Sequence, residues 1–398
     1  MKTRSVFRST RFLSILGMML LLSPSATYAK TVTYFKDYRY QASEGDSKLS
    51  CRTVAFEQVK RLLLEELGTY LLSETEVKDF ELTKDRISSL SAGIVSTVIL
   101  EEKWDGQTYY LKAKISTDTD ELVKLIDSVR RNQEQSSQWE EIRKKTEEAL
   151  IEIKNLKEEM RKGKEEKVTK EKYAQAVNEL SAMDWYKQGY ALMNNAKKPE
   201  EALKAYDKAI EVDPGFARPY AGRAQTYNES GQFEKAIRES EQALLLDPKL
   251  AWAFNTRGVA HNGLRNPEKA IEDLSRAIEL DPKYARPHSN RSNSHYWLKN
   301  YRQSLKDADK AIELDPTLSS AHFRRGRALA SLNETEEAVR SFDKAIQLDP
   351  TDSGYYWNRG GAFLKLNKKE LAMEDIRKAA SMGNNPARDY LRKEGIPW

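Results

Sequence analysis

The segment AIELDPKYARPHSNR, residues 277–291, contains the feature that decides the fold, an Asp-Pro pair at the end of a short apolar run. Such pairs lie 34 residues apart at Asp213-Pro214, Asp247-Pro248, Asp281-Pro282, Asp315-Pro316 and Asp349-Pro350. Proline has no amide proton and disfavours helix in the residue before it, so a helix is expected to end at each Asp. A constant 34-residue period predicts equal helical hairpins that stack into a solenoid.

Small residues occupy two further positions of each period. Alanine lies five residues before every proline, at Ala209, Ala243, Ala277, Ala311 and Ala345. A small residue also lies 24 residues before four of the prolines, at Ala224, Gly258, Ser292 and Gly326, and Gly360 follows one period later. Small side chains at fixed positions predict that the two helices of each hairpin cross closely there.

With Trp185 and Gly189 in the first repeat, residues 183–383 resemble the tetratricopeptide repeat (TPR) family. The resemblance implies a mainly α fold, a solenoid of six helical hairpins over residues 181–383. Residues 384–398 are expected to contain a capping helix, from Ala387 to Lys393. Proteins of this family bind other proteins on the concave face, so the partner class implied is a protein or peptide.

The resemblance also implies which side chains line the concave face, namely those of the first helix of each repeat that do not pack on the second. Arg and Asn can hydrogen-bond a peptide, and aromatic residues supply contact area at low entropic cost. The mixture suits an extended peptide or a partner helix. The candidate groove residues are Arg218, Gln225, Trp252, Asn255, Asn262, Arg286, Asn293, Tyr296, Phe323, Arg327 and Trp357.

Two other sets of residues follow the repeat. Five arginines share one phase (Arg223, Arg257, Arg291, Arg325, Arg359), and four histidines lie in the array (His261, His288, His295, His322). The arginines form either a row of positive charges that binds an acidic ligand or a set of structural ion pairs. Acidic residues lie sixteen positions after most of them, which favours the structural interpretation. The histidines occupy packing phases, which favours packing over metal binding.

Residues 1–29 are typical of a secretory signal. A basic start is followed by the apolar run Phe12–Leu22 and a cleavage site at Thr27-Tyr28-Ala29. Eleven residues are too few to span a bilayer, so we expect a periplasmic or secreted bacterial protein without a membrane span after cleavage. The signal carries four of the 66 Lys and Arg residues and no acid, which leaves the mature chain close to neutral against 61 Asp and Glu. This balance does not favour nucleic acid.

Residues 30–130 lack the repeat and predict a small α+β domain. Val32, Tyr34, Tyr38 and Tyr40 alternate as on a half-buried strand, and a helix follows from Asp46 or Ser47 to Leu67, ended by Gly68. A short strand is expected at 77–82 and a short helix at 83–90. Two further strands flank Asp105-Gly106, which predicts a type I′ hairpin with Tyr109, Leu111, Ala113 and Ile115 on one face. The lone Cys51 is expected to be a buried thiol.

The runs at residues 55–62, 68–70 and 82–87 resemble an N-terminal domain of exported bacterial proteins and, more distantly, that of flagellar H-ring assembly proteins. The resemblance implies an envelope-associated role and carries no catalytic motif.

Residues 131–180 predict a helical connector with a short coiled coil. Apolar positions follow a heptad spacing over Trp139, Ile142, Thr146, Ala149, Ile153, Leu156 and Met160. Two interpretations stay open: a dimer or trimer formed through residues 139–160, or one long helix packed on its own chain. Residues 163–170 are expected to be a solvated hinge.

The sequence contains no phosphate loop, nucleophile elbow, Cys-x-x-Cys pair or His-Glu-x-x-His motif. We therefore expect no catalytic residues, no metal and no cofactor. The favoured function is a non-enzymatic periplasmic scaffold or adaptor that binds its partner in the groove. The alternative is a structural assembly subunit of a secretion, pilus or flagellar apparatus that acts mainly through its N-terminal domain.

Overall fold

The structure, a computed structural model, describes residues 31–42, 46–73, 95, 97–119, 122–123, 133–162, 167–194 and 198–397. The predicted signal at 1–29 and the segments predicted at 77–82 and 83–90 lie outside these ranges. No helix in the described part is long and apolar enough to cross a membrane.

The N-terminal module is a three-stranded antiparallel sheet packed on one helix. Strands β1 (Thr31–Gln41), β2 (Thr97–Trp104) and β3 (Thr108–Asp118) lie in the order β1-β3-β2, and helix α1 spans Lys48–Ser73. The predicted alternation is confirmed, because Tyr109, Leu111, Ala113 and Ile115 of β3 are all buried. Cys51 is buried on α1, and burial raises the pKa of its thiol to about 11, as expected for an unreactive cysteine.

The β2–β3 hairpin is present, but its predicted turn type is wrong. Gly106 has φ of +96°, whereas Asp105 does not have the positive φ that a type I′ turn requires. Instead, the Asp105 carboxylate accepts hydrogen bonds from the amides of Gln107 (2.9 Å) and Thr108 (2.6 Å). This side-chain contact stabilises a longer connection with glycine at its left-handed position.

Helix α1 does not end at Gly68, which corrects a second prediction. The helix continues to Ser73, and its buried face includes Leu67 and Leu71 on either side of the glycine. A glycine inside a helix costs about 1 kcal/mol, which is less than the gain from burying one leucine side chain.

The connector consists of α2 (Gln133–Arg161) and α3 (Lys167–Asn194), which pack together. The six heptad positions from Ile142 to Met160 are buried in the single chain, so the interpretation of a long helix packed on its own chain is confirmed. The seam that a dimer or trimer would use is therefore already covered. The predicted hinge at 163–170 is helical from Lys167, and α3 continues without a break through residues 180 and 181.

A cluster of buried charges joins α1 to α3. Lys60 of α1 lies 2.6 Å from Asp184 of α3, and Glu57 lies within 4 Å of both Lys60 and Lys187. The Lys187 ammonium also donates to the Thr146 hydroxyl of α2 (3.2 Å). Two acids and two bases buried together compensate one another, so the module, the connector and the first repeat share one packed junction.

The array contains six helical hairpins and a terminal helix among the described residues. The first pairs α3 with α4, and the others follow in order. The helices are α4 (Pro199–Val212), α5 (Ala217–Glu229), α6 (Phe233–Leu246), α7 (Ala251–Gly263), α8 (Pro267–Leu280), α9 (Ala285–Trp297), α10 (Tyr301–Leu314), α11 (Ser319–Ser331), α12 (Thr335–Leu348), α13 (Ser353–Lys365), α14 (Lys369–Ser381) and α15 (Asn385–Lys393). The last, α15, buries Ala387 and Leu391 against α14 and closes the core, as expected of a capping helix.

Each Asp-Pro pair ends the second helix of a repeat, as predicted. The Asp side chain has an additional role, because its carboxylate accepts a hydrogen bond from the backbone amide two positions later. The Lys249 amide donates to Asp247 Oδ1 (2.9 Å), and the Thr317 amide donates to Asp315 Oδ1 (2.9 Å). The pair therefore ends the helix and also stabilises the turn into the next repeat.

The helices of each hairpin cross at the predicted small residues. A Cβ atom on Gly258 would lie 2.7 Å from the Leu274 side chain, and one on Gly326 would lie 2.6 Å from Phe342. The conformation of the turn between the two helices was not predicted, and in each of the second to sixth repeats one turn residue has positive φ. These residues are Gly231, Arg265, Lys299, Asn333 and Asn367, again 34 apart.

Candidate functional site

The candidate site is a groove lined by the first helices of successive repeats, α5, α7, α9, α11 and α13. Its central cavity has a volume of about 250 Å³. Four predicted residues line this cavity, namely Gln225, Trp252, Asn255 and Arg286. Asn290 and Ser320, which were not predicted, lie beside them.

Hydrogen bonds between neighbouring helices hold the cavity wall in place. The Trp252 indole N–H donates to the Gln225 side-chain oxygen (3.2 Å), and the Asn290 amide donates to the Asn255 side-chain oxygen (2.9 Å). Trp252 and Asn255 are buried, so the wall is preorganised rather than mobile. A preorganised wall loses little entropy when a ligand binds.

A second group of predicted residues lies further along the groove, around Arg327. Its guanidinium is 3.8 Å from the centre of the Tyr296 ring, 5.7 Å from that of Phe323, and within hydrogen-bond distance of Asn293 Oδ1 (3.2 Å). Stacking on aromatic rings orients the guanidinium, and among the described residues no carboxylate forms an ion pair with it. The structure thus brings Asn293, Tyr296, Phe323 and Arg327 together.

Arg324, one helical turn from Arg327, is not among the candidate groove residues but lies beside them. Arg324 donates to the Ser289 hydroxyl (3.0 Å) and to Asn290 Oδ1 (3.3 Å). Burial, together with the nearby charge of Arg327, lowers the pKa of Arg324 to about 10.

Three predicted residues have structural partners instead of lining the cavity. Arg218 forms an ion pair with Glu141 of α2, and Asn262 donates to the backbone oxygen of Asn290 (3.3 Å), which links α7 to α9. The Trp357 ring packs edge-on against Tyr390 of α15, with ring centres 6.1 Å apart. These residues stabilise the array or its ends.

The repeated arginines form structural ion pairs, which confirms that interpretation. Arg257 and Arg291 each bind the carboxylate sixteen positions later, with Nε–Oδ2 distances of 2.9 Å to Asp273 and Asp307. Arg325 differs, because Ser341 occupies that position and Asp309 of the preceding repeat supplies the carboxylate (2.8 Å). Contacts to the preceding repeat were not predicted and connect one hairpin to the next.

Three of the four histidines lie beside the same acidic residues, and His322 contacts the Pro316 backbone oxygen. His288 Nδ1 and His295 Nε2 lie 3.6 and 3.7 Å from Asp307, and burial lowers the pKa of His295. Within the described ranges, no group of three or more His, Cys, Asp or Glu side chains could hold a metal ion. The geometry therefore supports packing roles for these residues.

Helices α7, α9, α11 and α13 contain no Asp or Glu at all. The whole chain has 61 acidic residues in 398, so this absence from four helices of 13 residues is a strong bias. Acids are frequent on the second helices, such as α8 with four, and in the turns between repeats. This bias is visible in the sequence once the repeats are aligned, but it was not predicted.

Comparisons with known proteins agree with this geometry. Models described as "Tetratricopeptide repeat" match residues 195–254, 251–284 and 353–384, and one described as "TPR repeat" matches 326–367. The array is a tetratricopeptide repeat solenoid. No curated protein matches the chain.

Solved structures match this chain at low sequence identity and with TM-scores below 0.5. A TPR protein from Parabacteroides merdae is 23% identical, with a TM-score of 0.44, and the match covers 63% of this chain and 98% of that one. PilF from Pseudomonas aeruginosa is 18% identical, with a TM-score of 0.45 and coverage of 55% and 99%. A thermophilic TPR protein from Thermus thermophilus is 18% identical, with a TM-score of 0.42 and coverage of 46% and 99%.

Proposed function

We propose that this chain is a non-enzymatic periplasmic or secreted scaffold whose TPR groove binds a protein or peptide partner. The observation that carries the proposal is the preorganised cavity between α5, α7, α9 and α11, which combines Trp252 with the amides of Asn255 and Asn290. Side-chain amides can pair with the peptide groups of a bound segment, and the indole supplies apolar contact. TPR solenoids as a class have interaction roles, and this fold suits one.

Crosslinking in the native envelope, followed by identification of captured proteins, tests the groove. We expect the variant Asn293→Glu/Arg327→Glu to lose specific partners that the native chain captures. Arg276→Glu, an exposed change on α8, is the matched control and should retain them. Identical partner sets for the groove variant and the native chain would contradict a role for the groove.

The exported location rests on the basic and apolar pattern of residues 1–29. Mass analysis of the mature N-terminus in a fractionated bacterium tests it. We expect cleavage after Ala29 and recovery in the periplasmic or secreted fraction. Recovery of an uncleaved cytoplasmic chain would contradict this part of the proposal.

A second candidate function is a structural assembly subunit that acts through the N-terminal module. It is favoured by the outer face of the sheet, where Phe35, Val98 and Leu100 are each about half exposed. Deletion of the whole module would expose the core that α1 shares with α3, so surface changes are the sharper test. If Phe35→Ser/Leu100→Ser abolishes localisation while groove partners are retained, the assembly function is supported over the groove function.

A further inference from the structure

The outer face of the three-stranded sheet places a lysine among exposed apolar side chains. Lys114, on the central strand β3, is paired with Phe35 of β1 on one side and with Val98 of β2 on the other. Leu100, in the bulge of β2, lies beside them, and all three apolar side chains are about half exposed. In the described part of the chain no acid forms an ion pair with Lys114. A free cation therefore stands in the middle of an apolar patch.

A second row of the same face combines an aromatic ring with two cations. Tyr110 of β3 is paired with Arg39 of β1 and with Lys103 of β2. The Arg39 guanidinium lies 5.7 Å from the centre of the Tyr110 ring. Lys103 forms an exposed ion pair with Glu101 (2.5 Å), and among the described residues Arg39 has no such partner. This row is therefore aromatic and positively charged.

The row between these two compensates its own charges. Lys112 of β3 is paired with Asp37 of β1 and with Glu101 of β2, and opposite charges on neighbouring strands attract one another. Together the three rows hold four Lys or Arg residues and two acids, a net charge of +2. The uncompensated positive charge therefore lies in the two outer rows, beside the apolar and aromatic side chains.

This arrangement fits a lipid surface better than a protein partner. The centre of a protein interface is depleted of lysine, because burying an ammonium group without a counter-ion is unfavourable. At a bilayer surface, apolar side chains enter the acyl boundary while a lysine beside them extends to the lipid phosphates. Tyrosine is also favoured at this depth, since its ring is apolar and its hydroxyl group is polar.

We propose that the outer face of the sheet binds the surface of an anionic phospholipid bilayer. Phe35, Val98 and Leu100 enter the acyl boundary, and Lys114 and Arg39 contact the lipid phosphates. The inference goes beyond the groove function and does not depend on it, but it gives a lipid partner to the face that the assembly function would also use. Helix α1 packs on the opposite side of β1 and β3, so binding does not require its junction with the array to open.

Cosedimentation with vesicles tests the proposal on the mature chain from residue 30, because the apolar run of the signal would itself bind lipid. One set of vesicles is pure phosphatidylcholine, and the other contains about 30% phosphatidylglycerol, which supplies the negative surface potential. We expect the chain to bind the anionic vesicles about tenfold or more tightly than the neutral ones. This binding should weaken as salt is raised.

Variants with matched controls locate the contact on the sheet. Lys114→Gln should weaken binding to the anionic vesicles about fivefold, the size expected for one lysine near such a surface. Lys144→Gln, which removes a 77% exposed lysine of α2, should leave the affinity unchanged. Phe35→Ser/Leu100→Ser should weaken binding about tenfold or more, whereas Leu245→Ser, which removes a 75% exposed leucine of α6, should not. Circular dichroism verifies that each variant is folded.

Three results would overturn the proposal. These are no binding of the anionic vesicles, equal affinity for the two kinds of vesicle, or equal losses of affinity in Lys114→Gln and Lys144→Gln. If the vesicles do not bind but Phe35→Ser/Leu100→Ser still abolishes localisation in the cell, the face contacts a protein. In that case the assembly function stands and the lipid proposal fails.

Discussion

Lys60 Nζ lies 2.6 Å from Asp184 Oδ1 in a buried ion pair that joins the N-terminal module to the first TPR helix. Burial by itself lowers the pKa of Lys60, but the Asp184 and Glu57 carboxylates outweigh it and raise the pKa. The module is therefore held in one orientation relative to the groove by charges on helices α1 and α3.

Removing one partner of this ion pair is expected to destabilise the whole chain. Asp184→Asn leaves the buried Lys60 with less compensation, and breaking a buried pair costs about 3–5 kcal/mol. Urea denaturation measures this loss, and Lys60→Met/Asp184→Leu should recover part of it. The exposed pair of Lys198 and Glu201 provides the control, because Lys198→Ala should have no measurable effect. A single variant as stable as the double variant would contradict the prediction.

The close crossing of α7 and α8 predicts opposite effects for two glycines. Gly258→Ala places a Cβ atom 2.7 Å from Leu274 and 3.3 Å from the Ala270 backbone oxygen, so overpacking should cost about 1–3 kcal/mol. Gly361→Ala in α13 meets nothing within 4 Å and should stabilise the helix by about 0.5–1 kcal/mol. Thermal unfolding of both variants checks the signs. The crossing would not be as tight as described if Gly258→Ala behaved like Gly361→Ala.

The acid stability of the array is expected to depend on Asp307. Burial by itself raises the pKa of this carboxyl, but the contacts with His288 and Arg291 outweigh it and lower the pKa below its ordinary value of 3.8. His295 Nε2 also faces this carboxylate, at 3.7 Å. A depressed pKa stabilises the folded state above pH 3.8, and this stability is lost as the pH falls further.

The variant Asp307→Asn tests this dependence. It should be less stable than the native array at pH 7 and should show a shallower loss of stability below pH 3.8, measured by chemical denaturation across pH. Asp389→Asn, which removes an exposed ion pair with Arg392, is the control and should follow the native curve. Parallel curves for Asp307→Asn and the native chain would exclude the role of Asp307.

The burial of the heptad seam predicts that the mature chain is a monomer in light scattering. Ile153→Ala should lower the stability by about 2–5 kcal/mol without changing the mass, because Ile153 packs in the core of its own chain. Ile151→Ala is the matched control on the same helix, since 60% of Ile151 is exposed, and it should change neither property. A concentration-dependent dimer or trimer that only Ile153→Ala dissociates would restore the intermolecular interpretation.

The sequence by itself determined the solenoid, because its signals are local and repeated. Proline at 34-residue spacing ends each second helix whatever surrounds it, and small residues at a fixed phase permit one close crossing in every hairpin. The alternation along β3 also required no tertiary information, since side chains of a strand point to opposite faces. The pairing of four of the five repeated arginines followed from a recurring sixteen-residue offset to an acidic residue.

Only the tertiary structure decided the features that depend on distant segments. Helix α1 passes through Gly68 because the leucines on either side are buried in a core to which the distant strand β3 and helices α2 and α3 also contribute. The heptad pattern of α2 could not reveal its partner, because the same apolar seam packs equally well on another chain or on α3. Arg218 forms its ion pair with Glu141 of α2, and no local pattern could reveal this contact, because the two residues are 77 positions apart and only the packing of the helices brings them together.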